Sequence, residues 1–133
     1  MLGIFNTTTI PALEQTLTFA QRRHELLAGN LANFDTPDYR TRDLDIGDFQ
    51  NALAESIDTA RQPAAQSVSP TTRDDIYAGP REATEQVVFH DGSDVSIEHQ
   101  VTELAKNQHL HGLAITTMRS QFALLRAAIT ERA

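Results

Sequence analysis

Residues 97–129, IEHQVTELAKNQHLHGLAITTMRSQFALLRAAI, decide the fold of this chain. Mostly apolar residues recur along them at alternating steps of four and three, the spacing that forms one stripe, or seam, on an α-helix. No proline interrupts residues 94–133. The pattern therefore predicts one long helix, which follows the turn signal Asp91-Gly92 and is capped by Ser93 or Asp94. The predicted seam consists of Ile97, Val101, Leu104, Gln108, His111, Ile115, Met118, Phe122, Leu125 and Ile129.

A second stripe runs along the later half of this helix, on the side away from the predicted seam. It consists of Leu110, Leu113, Thr117, Ser120, Leu124 and Ala127. A helix that is apolar or small on two faces is buried on both. One partner helix in the same chain cannot cover both faces, so the pattern predicts contact with neighbouring subunits. We expect the assembly interface to comprise Leu110, Leu113, Ile115, Met118, Phe122, Leu124, Leu125 and Ile129.

A first helix is predicted to begin near Pro11, a residue suited to the first helical turn, and to end between Asn30 and Phe34. Its heptad seam consists of Ile10, Leu13, Leu17, Ala20, His24, Leu27 and Leu31. At about 1.5 Å per residue, the first helix is about 35 Å long and the second helix about 55–60 Å. About 20 Å of the longer seam therefore has no partner helix within the chain.

An antiparallel arrangement with Ile10 opposite Ile129 would bring His24 close to Gln108 and His111. Polar residues inside a helix seam can fix its register at some cost in stability. The alternative, that each of the three reaches solvent or a neighbour, is equally compatible with the sequence.

Between the two helices, the sequence predicts a short helix over residues 46–60, a loop over residues 61–83 and a short strand within residues 85–90. The predicted fold class is all-α, with long N- and C-terminal helices pairing as an antiparallel coiled coil around an irregular, partly disordered middle. We expect one domain, residues 1–133, divided into 1–34 (first helix), 35–60 (turn and acidic segment), 61–93 (loop) and 94–133 (second helix).

Charge is concentrated in the middle of the chain. The formal net charge is -7, and residues 32–60 alone hold seven acidic and two basic side chains. Nucleic-acid binding is disfavoured because it needs a basic stripe, and none exists. The chain has no cysteine and no apolar run long enough to span a membrane. Composition thus allows the neutral helical ends to pack closely and disfavours nucleic-acid binding and a membrane span.

Three residue groups superficially resemble chemical sites. His109 and His111 are two apart on a helix and point in different directions, which disfavours a shared metal. Residues 43–48 have acidic spacing but lack the glycine and glutamate positions of a calcium loop. Residues 90–94 hold His, Asp and Ser, but neighbours in sequence rarely form a catalytic triad. We therefore expect no catalytic, cofactor or metal site, no small-molecule substrate, and a protein that is not an enzyme.

The end of the first helix carries the most specific motif, LAGNLANFDTPDYR over residues 27–40. It resembles the signature of the flagellar rod and hook axial protein family, and the following Asp43-Leu44-Asp45 resembles the continuation seen in proximal rod members. The matching residues are Asn30, Leu31, Ala32, Asn33, Thr36, Pro37, Tyr39 and Arg40.

The motif also has a physical interpretation. Asn30 and Asn33 are expected to bond to backbone groups freed at the helix end, and Tyr39 to pack back after the turn. Two positions depart from the family pattern: Gly29 replaces Ser or Asn, and Asp38 replaces Gly. Because Asp tolerates left-handed backbone less well than Gly, we expect a type I turn.

The resemblance implies a structural subunit of the bacterial flagellar basal-body rod that transmits torque from motor to hook. It implies passage through the flagellar type III export apparatus and a place in the rod within the periplasmic space. The implied partners are other rod proteins, the adapter that joins the rod to the membrane ring, and copies of the chain itself. Two alternatives remain open at this point: another exported helical rod or junction protein of this family, or a stand-alone helical adapter module.

Overall fold

The computed structural model describes residues 9–61, 76–82, 86–88 and 96–131. Two long helices pack along each other, and the middle of the chain packs against the first of them. The elements in chain order are α1 (Ile10–Ala32), β1 (Arg42–Leu44), α2 (Ile46–Arg61), α3 (Ala78–Glu82), β2 (Gln86–Val88) and α4 (Ile97–Thr130). The predicted all-α class with paired terminal helices is confirmed.

The bounds of the main helices follow from local chemistry. Pro11 lies in the first turn of α1, where its missing N–H has no intrahelical partner to lose. Asn33 ends the helix, and its backbone N–H donates to the carbonyl oxygen of Gly29. The helix α4 begins at Ile97 with Ser96 in the N-cap position. The predicted caps Ser93 and Asp94 lie outside the described residues.

The middle is more regular than the sequence suggested. The helix α2 matches the predicted segment, and β2 falls inside the predicted strand. The segment predicted as loop contains the five-residue helix α3, in which Pro80 is buried and Gly79 lies against Ala52 of α2. Residues 62–75, on which the prediction of disorder mainly falls, lie outside the described residues. β1 and β2 pair antiparallel, with Arg42 opposite Val88.

A small apolar core joins α1 to the middle. Phe19, Leu44 and Phe49 are buried together, and the rings of Phe19 and Phe49 stack with centroids 4.0 Å apart. Burying one such ring stabilises the fold by about 2–3 kcal/mol, and stacking adds about 1 kcal/mol. Phe19 is the residue that α1 contributes to this core. The next residue, Ala20, faces α4. The first helix therefore buries two adjacent flanks.

Hydrogen bonds between α1 and α4 define an antiparallel register. The Asn107 side chain donates to the Ala20 carbonyl at 2.8 Å, and the Asn30 side chain donates to Gln100 at 3.0 Å. The predicted register with Ile10 opposite Ile129 is wrong. It would place Ala20 opposite position 119, whereas Ala20 lies opposite position 107, about three helical turns away.

The buried face of α4 is also rotated from the predicted seam. Its buried residues are Gln100, Asn107 and Ala114, a seven-residue repeat, whereas Ile97 and Val101 are 43% and 48% exposed. Polar side chains occupy the buried face because each finds a specific partner on α1, and a seam inferred from apolar residues alone misses such positions. His24 and Gln108, predicted at the seam, are exposed, and His111 is half-buried.

Candidate assembly site

The side chain of Asn30 joins three parts of the molecule. It is 1% exposed, and its amide nitrogen donates to the Arg42 carbonyl at 2.7 Å and to Gln100 at 3.0 Å. Its amide oxygen accepts the Arg42 backbone N–H at 3.0 Å and the Tyr39 hydroxyl at 3.3 Å. These four bonds use the two donors and two lone pairs of the amide. The motif residue Asn30 thus fastens α1 to β1 and to α4.

The sequence interpretation of the motif holds only in part. Asn33 bonds as expected, because its side chain donates to the freed Gly29 carbonyl at 2.8 Å. Tyr39 packs back as expected through its hydroxyl. Asn30 does not bond to the helix end. It bonds to the backbone of Arg42, the first residue of β1, which lies twelve positions further along the chain. The signal that pointed to Asn30 was the motif, and its partners lie too far along the chain for local rules to find.

The turn after α1 differs from the expected one. The Tyr39 backbone N–H donates to the Thr36 carbonyl at 3.3 Å, which closes a four-residue turn with Pro37 in its second position. Asp38, in the third position, has a φ of 61°. A positive φ there is the geometry of a type II turn, so the predicted type I turn is wrong. The turn keeps the shape that a glycine would favour, and Asp38 adopts the left-handed conformation to do so.

The other motif residues lie nearer the surface. Leu31 is half-buried, and Ala32, Thr36, Pro37 and Arg40 are exposed. The motif therefore consists of an internal part, Asn30 with Tyr39, and an outer turn.

A second polar cluster lies about two helical turns before Asn30 and centres on Arg23. Its guanidinium makes a two-pronged contact with Asp43 of β1 at 2.8 and 2.7 Å, and it donates to Glu103 of α4 at 2.7 Å. Lys106 donates to the other oxygen of Glu103 at 2.7 Å. Two cations and two anions make the cluster neutral. Since Arg23 is 5% exposed, these charges hold one another in a place where an unpaired charge would be costly.

The pKa values of this cluster reflect the pairing. Burial alone would lower the pKa of Arg23, but its hydrogen bonds to Asp43 and Glu103, with their negative charges, outweigh burial and raise it. The hydrogen bond from Lys106, followed by that from Arg23, lowers the pKa of Glu103 below its ordinary value of 4.5. Both groups stay charged near neutral pH, so the cluster fixes α1, β1 and α4 together.

We call the set Arg23, Asn30, Asp43, Gln100, Glu103 and Asn107 the polar lock. From this set, the sequence patterns pointed to Asn30 and, through the Asp43-Leu44-Asp45 continuation of the motif, to Asp43. Two signals could have revealed more of it: the seven-residue spacing of Arg23 and Asn30, and the repeat Gln100, Asn107, Ala114 and Gln121.

The later half of α4 presents apolar side chains to the outside. Most of the second stripe is exposed, with Leu113 at 59%, Leu124 at 62% and Leu110 at 37%. Phe122 and Ile129 are 49% and 72% exposed, while Ile115, Met118 and Leu125 are half-buried. Leu113 and the buried Ala114 are neighbours, and adjacent helical positions point about 100° apart. The second stripe therefore lies beside the buried face, not opposite it.

Two further features were sought in the described residues, a metal-binding cluster and a membrane-spanning helix. Within them no three His, Asp or Glu side chains are arranged to hold a metal ion. No helix in the described ranges is both long and apolar enough to cross a lipid bilayer.

Comparison with known proteins finds relatives that all carry one name. The flagellar basal body rod protein FlgB of Aquifex aeolicus is 30% identical over 98 residues, which cover 69% of this chain and 68% of that protein. The protein of the same name from Salmonella typhimurium is 27% identical over 119 residues, or 81% and 83% of the two chains. That from Bacillus subtilis is 25% identical over 125 residues, or 92% and 93%.

No family model matches the chain, and no solved structure matches it. The relatives come from distant bacteria, and each match spans more than two thirds of both chains. This chain belongs to the family of the flagellar basal body rod protein FlgB.

Proposed function

We propose that the chain is a structural subunit of the flagellar rod that packs through its helices and transmits torque from motor to hook. The similarity of the chain to flagellar basal body rod proteins supports its proposed role as a rod component. The proposed packing between subunits is supported by the exposed apolar side chains of α4, of which Leu113, Leu124 and Ile129 are each more than half exposed. Leu110, Leu113 and Leu124 share one side of α4, and exposed apolar residues grouped on one side of a helix mark surfaces that bind other proteins.

Torque transmission needs subunits that do not deform internally. The polar lock supports this role because it couples α1, β1 and α4 through buried, short contacts. Networks of bonded buried polar groups resist sliding, since a slip would leave charges and amides unpaired. In the polar lock the amide oxygen of Asn107 is buried without a hydrogen-bond partner among the described residues. A load applied to α4 would therefore be carried into the middle of the subunit through Arg23 and Asn30.

We propose that the assembly surface comprises Leu110, Leu113, Ile115, Met118, Phe122, Leu124, Leu125 and Ile129. The exposed members would contact neighbours first, and the half-buried ones would line the edge of the contact. The proposed neighbours are other rod proteins, copies of this chain and the adapter between the rod and the membrane ring. The proposed location of the assembled subunit is the periplasmic space, which it would reach through the flagellar type III export apparatus.

Substitutions on the second stripe test this proposal. Leu113→Glu and Leu124→Glu place a charge on the proposed interface, and Gln108→Glu places the same side chain on an exposed position outside the stripe. We expect the two leucine variants to abolish swimming and to yield basal bodies without a complete rod, whereas the glutamine variant swims normally. Circular dichroism of the purified variants checks that each keeps its helix content. Normal rods in both leucine variants would refute the proposed surface.

A further inference from the structure

The later half of α4 is basic, although the chain as a whole is acidic. Residues 107–130 hold Arg119 and Arg126 and no acidic side chain, whereas the formal net charge of the chain is -7. Both arginines are exposed, and neither forms an ion pair with another described residue. We call Arg119 and Arg126 the basic flank. Its two cations are available to a partner.

The basic flank lies on a different side of α4 from the second stripe. At about 100° per residue, Arg119 and Arg126 lie about 120–140° around the helix from the buried Ala114. Leu113 and Leu124 lie about 80–100° from Ala114 in the opposite direction. A neighbour that covers the second stripe therefore leaves the basic flank uncovered.

The outer side of α2 carries charge of the opposite sign. Asp48, Glu55 and Asp58 are exposed, and the basic residue of this helix, Arg61, lies at its end. None of the three carboxylates forms an ion pair with another described residue. We call Asp48, Glu55 and Asp58 the acidic face. Like the basic flank, it has charges that the subunit itself does not neutralise within the part that the structure describes.

The two charged surfaces have the same spacing. Asp48 and Glu55 are seven residues apart, as are Arg119 and Arg126. Seven residues make about two helical turns, so the members of each pair share a side of their helix and lie about 10.5 Å apart along its axis. Two helices that lie side by side can therefore bring both arginines to both carboxylates at once.

Net charge limits where two copies of the chain can touch. Chains with a net charge of -7 repel each other, so a contact between copies needs a region where opposite charges meet. Exposed ion pairs add little affinity, but they select the partner and its orientation. Phe122, which is 49% exposed, lies between Arg119 and Arg126 along α4 and supplies apolar area beside them.

We propose that the basic flank of one copy binds the acidic face of a second copy of this chain. This inference rests on the proposed function, since it names one partner of the assembled subunit and the surface which that partner contributes. The two surfaces differ, so the contact is head-to-tail, and the second copy keeps its own basic flank for a third. The contact can thus repeat from copy to copy, while the second stripe binds other neighbours.

Exchanging the charges tests the proposal in the flagellated bacterium. Arg119→Glu/Arg126→Glu and Asp48→Arg/Glu55→Arg each place like charges across the contact, so we expect both double variants to lose swimming and complete rods. The variant with all four reversals regains opposite charges in exchanged positions. We expect it to recover swimming and rods, which basal-body imaging measures. Circular dichroism of the purified variants checks that each keeps its helix content.

A matched control separates a specific contact from an effect of net charge. Glu14 and Glu25 are exposed on α1, outside the acidic face. Glu14→Arg/Glu25→Arg changes the net charge of the chain as much as Asp48→Arg/Glu55→Arg does. Combined with the two arginine reversals, it should not restore swimming.

Zero-length coupling gives a second measurement that needs no charge reversal. Arg119→Lys/Arg126→Lys keeps the basic flank and supplies amines, which a carbodiimide joins to a carboxylate only where the two groups touch. In isolated basal bodies we expect a product of twice the subunit mass, with the link at Asp48 or Glu55 identified by peptide mass spectrometry. Adding Asp48→Asn/Glu55→Gln should abolish this product.

Three outcomes would overturn the proposal. Normal rods in Arg119→Glu/Arg126→Glu would mean that the basic flank makes no needed contact. Recovery by the α1 control would reduce the effect to net charge. A folded fourfold variant without rods, together with no coupled product at Asp48 or Glu55, would assign the basic flank to a different protein. Absence of the chain from isolated basal bodies would instead refute the proposed function, and this inference with it.

Discussion

The earlier half of α4 buries polar side chains, whereas the later half exposes apolar ones. In the earlier half, Gln100 and Asn107 face α1 and are 4% and 1% exposed, whereas in the later half Leu113 and Leu124 are 59% and 62% exposed. A monomer that relied on the usual distribution would place its leucines inside and its amides outside. The difference teaches that the polar residues determine how this subunit is held together. The exposed apolar residues of the later half are those that the proposed assembly would cover.

Removing the centre of the polar lock is expected to have the largest effect on stability. Arg23→Ala leaves Asp43 and Glu103 near each other without their shared cation. We expect the free energy of unfolding to fall by about 3–5 kcal/mol, the usual cost of breaking a buried ion pair. Urea denaturation measures this, with Arg22→Ala as an exposed neighbouring control that should change stability by less than about 0.5 kcal/mol. A loss as small as in the control would mean that the lock does not hold the helices.

The next largest effect is expected at the motif. Asn30→Ala removes four hydrogen bonds, two of them to the N–H and carbonyl of the Arg42 backbone, one to the Gln100 side chain and one to the Tyr39 hydroxyl. We expect a loss of about 2–3 kcal/mol, because buried groups without partners carry their full desolvation cost. Asn51→Ala, at an exposed position of α2, is the control. Equal denaturation midpoints for the two variants would contradict the assignment of Asn30 as a joint between elements.

Acid is expected to weaken the earlier half of the α1–α4 contact selectively. The folded protein lowers the pKa of Glu103 through Lys106 and Arg23, so this stabilisation is complete above the ordinary value of 4.5 and is lost as the pH falls through the lower folded-state value. Glu103→Gln should therefore flatten the dependence of the denaturation midpoint on pH in this acid range. Glu55→Gln, an exposed control on α2, should leave the dependence unchanged.

The smallest effect is expected at the turn beyond α1, and it has the opposite sign. Asp38→Gly places glycine where φ is 61°, a conformation that costs other residues free energy. We expect the variant to be more stable by about 1 kcal/mol. Asp35→Gly, at an exposed position in the same turn region where φ is not positive, should bring no gain. A destabilised Asp38→Gly variant would mean that the aspartate side chain contributes more than its backbone strain costs.

Sequence reasoning succeeded where the signal is local. The periodicity of residues 97–129, Pro11 at one helix start and the stop before Pro37 predicted both long helices, and the predicted helix over residues 46–60 matches α2. The motif predicted the family, which the relatives confirm. These features depend on residues a few positions apart, where propensity and capping rules apply.

It failed where the deciding contacts join distant residues. The Asn107–Ala20 and Asn30–Gln100 bonds set the register, yet an apolar pattern carries no information on which amide meets which partner. Periodicity assigned Ile97 and Val101 to the seam because they are apolar and have the spacing of one helix face. The same error explains why Arg23 was overlooked: a charged residue inside a seam becomes favourable only through a partner on another element, here Asp43 and Glu103.

Thiol accessibility at two adjacent residues tests the central claim most directly. Leu113 is 59% exposed and Ala114 is 4% exposed. Leu113→Cys therefore introduces a single thiol on the outer side of α4, and Ala114→Cys a single thiol on its inner side. Alkylation rates are compared in the purified subunit and in isolated basal bodies. We predict that Leu113→Cys reacts quickly in the subunit and is protected in basal bodies, while Ala114→Cys is protected in both. A Leu113→Cys thiol that reacts equally fast in basal bodies, or an Ala114→Cys thiol that reacts faster than it in the subunit, would contradict the account.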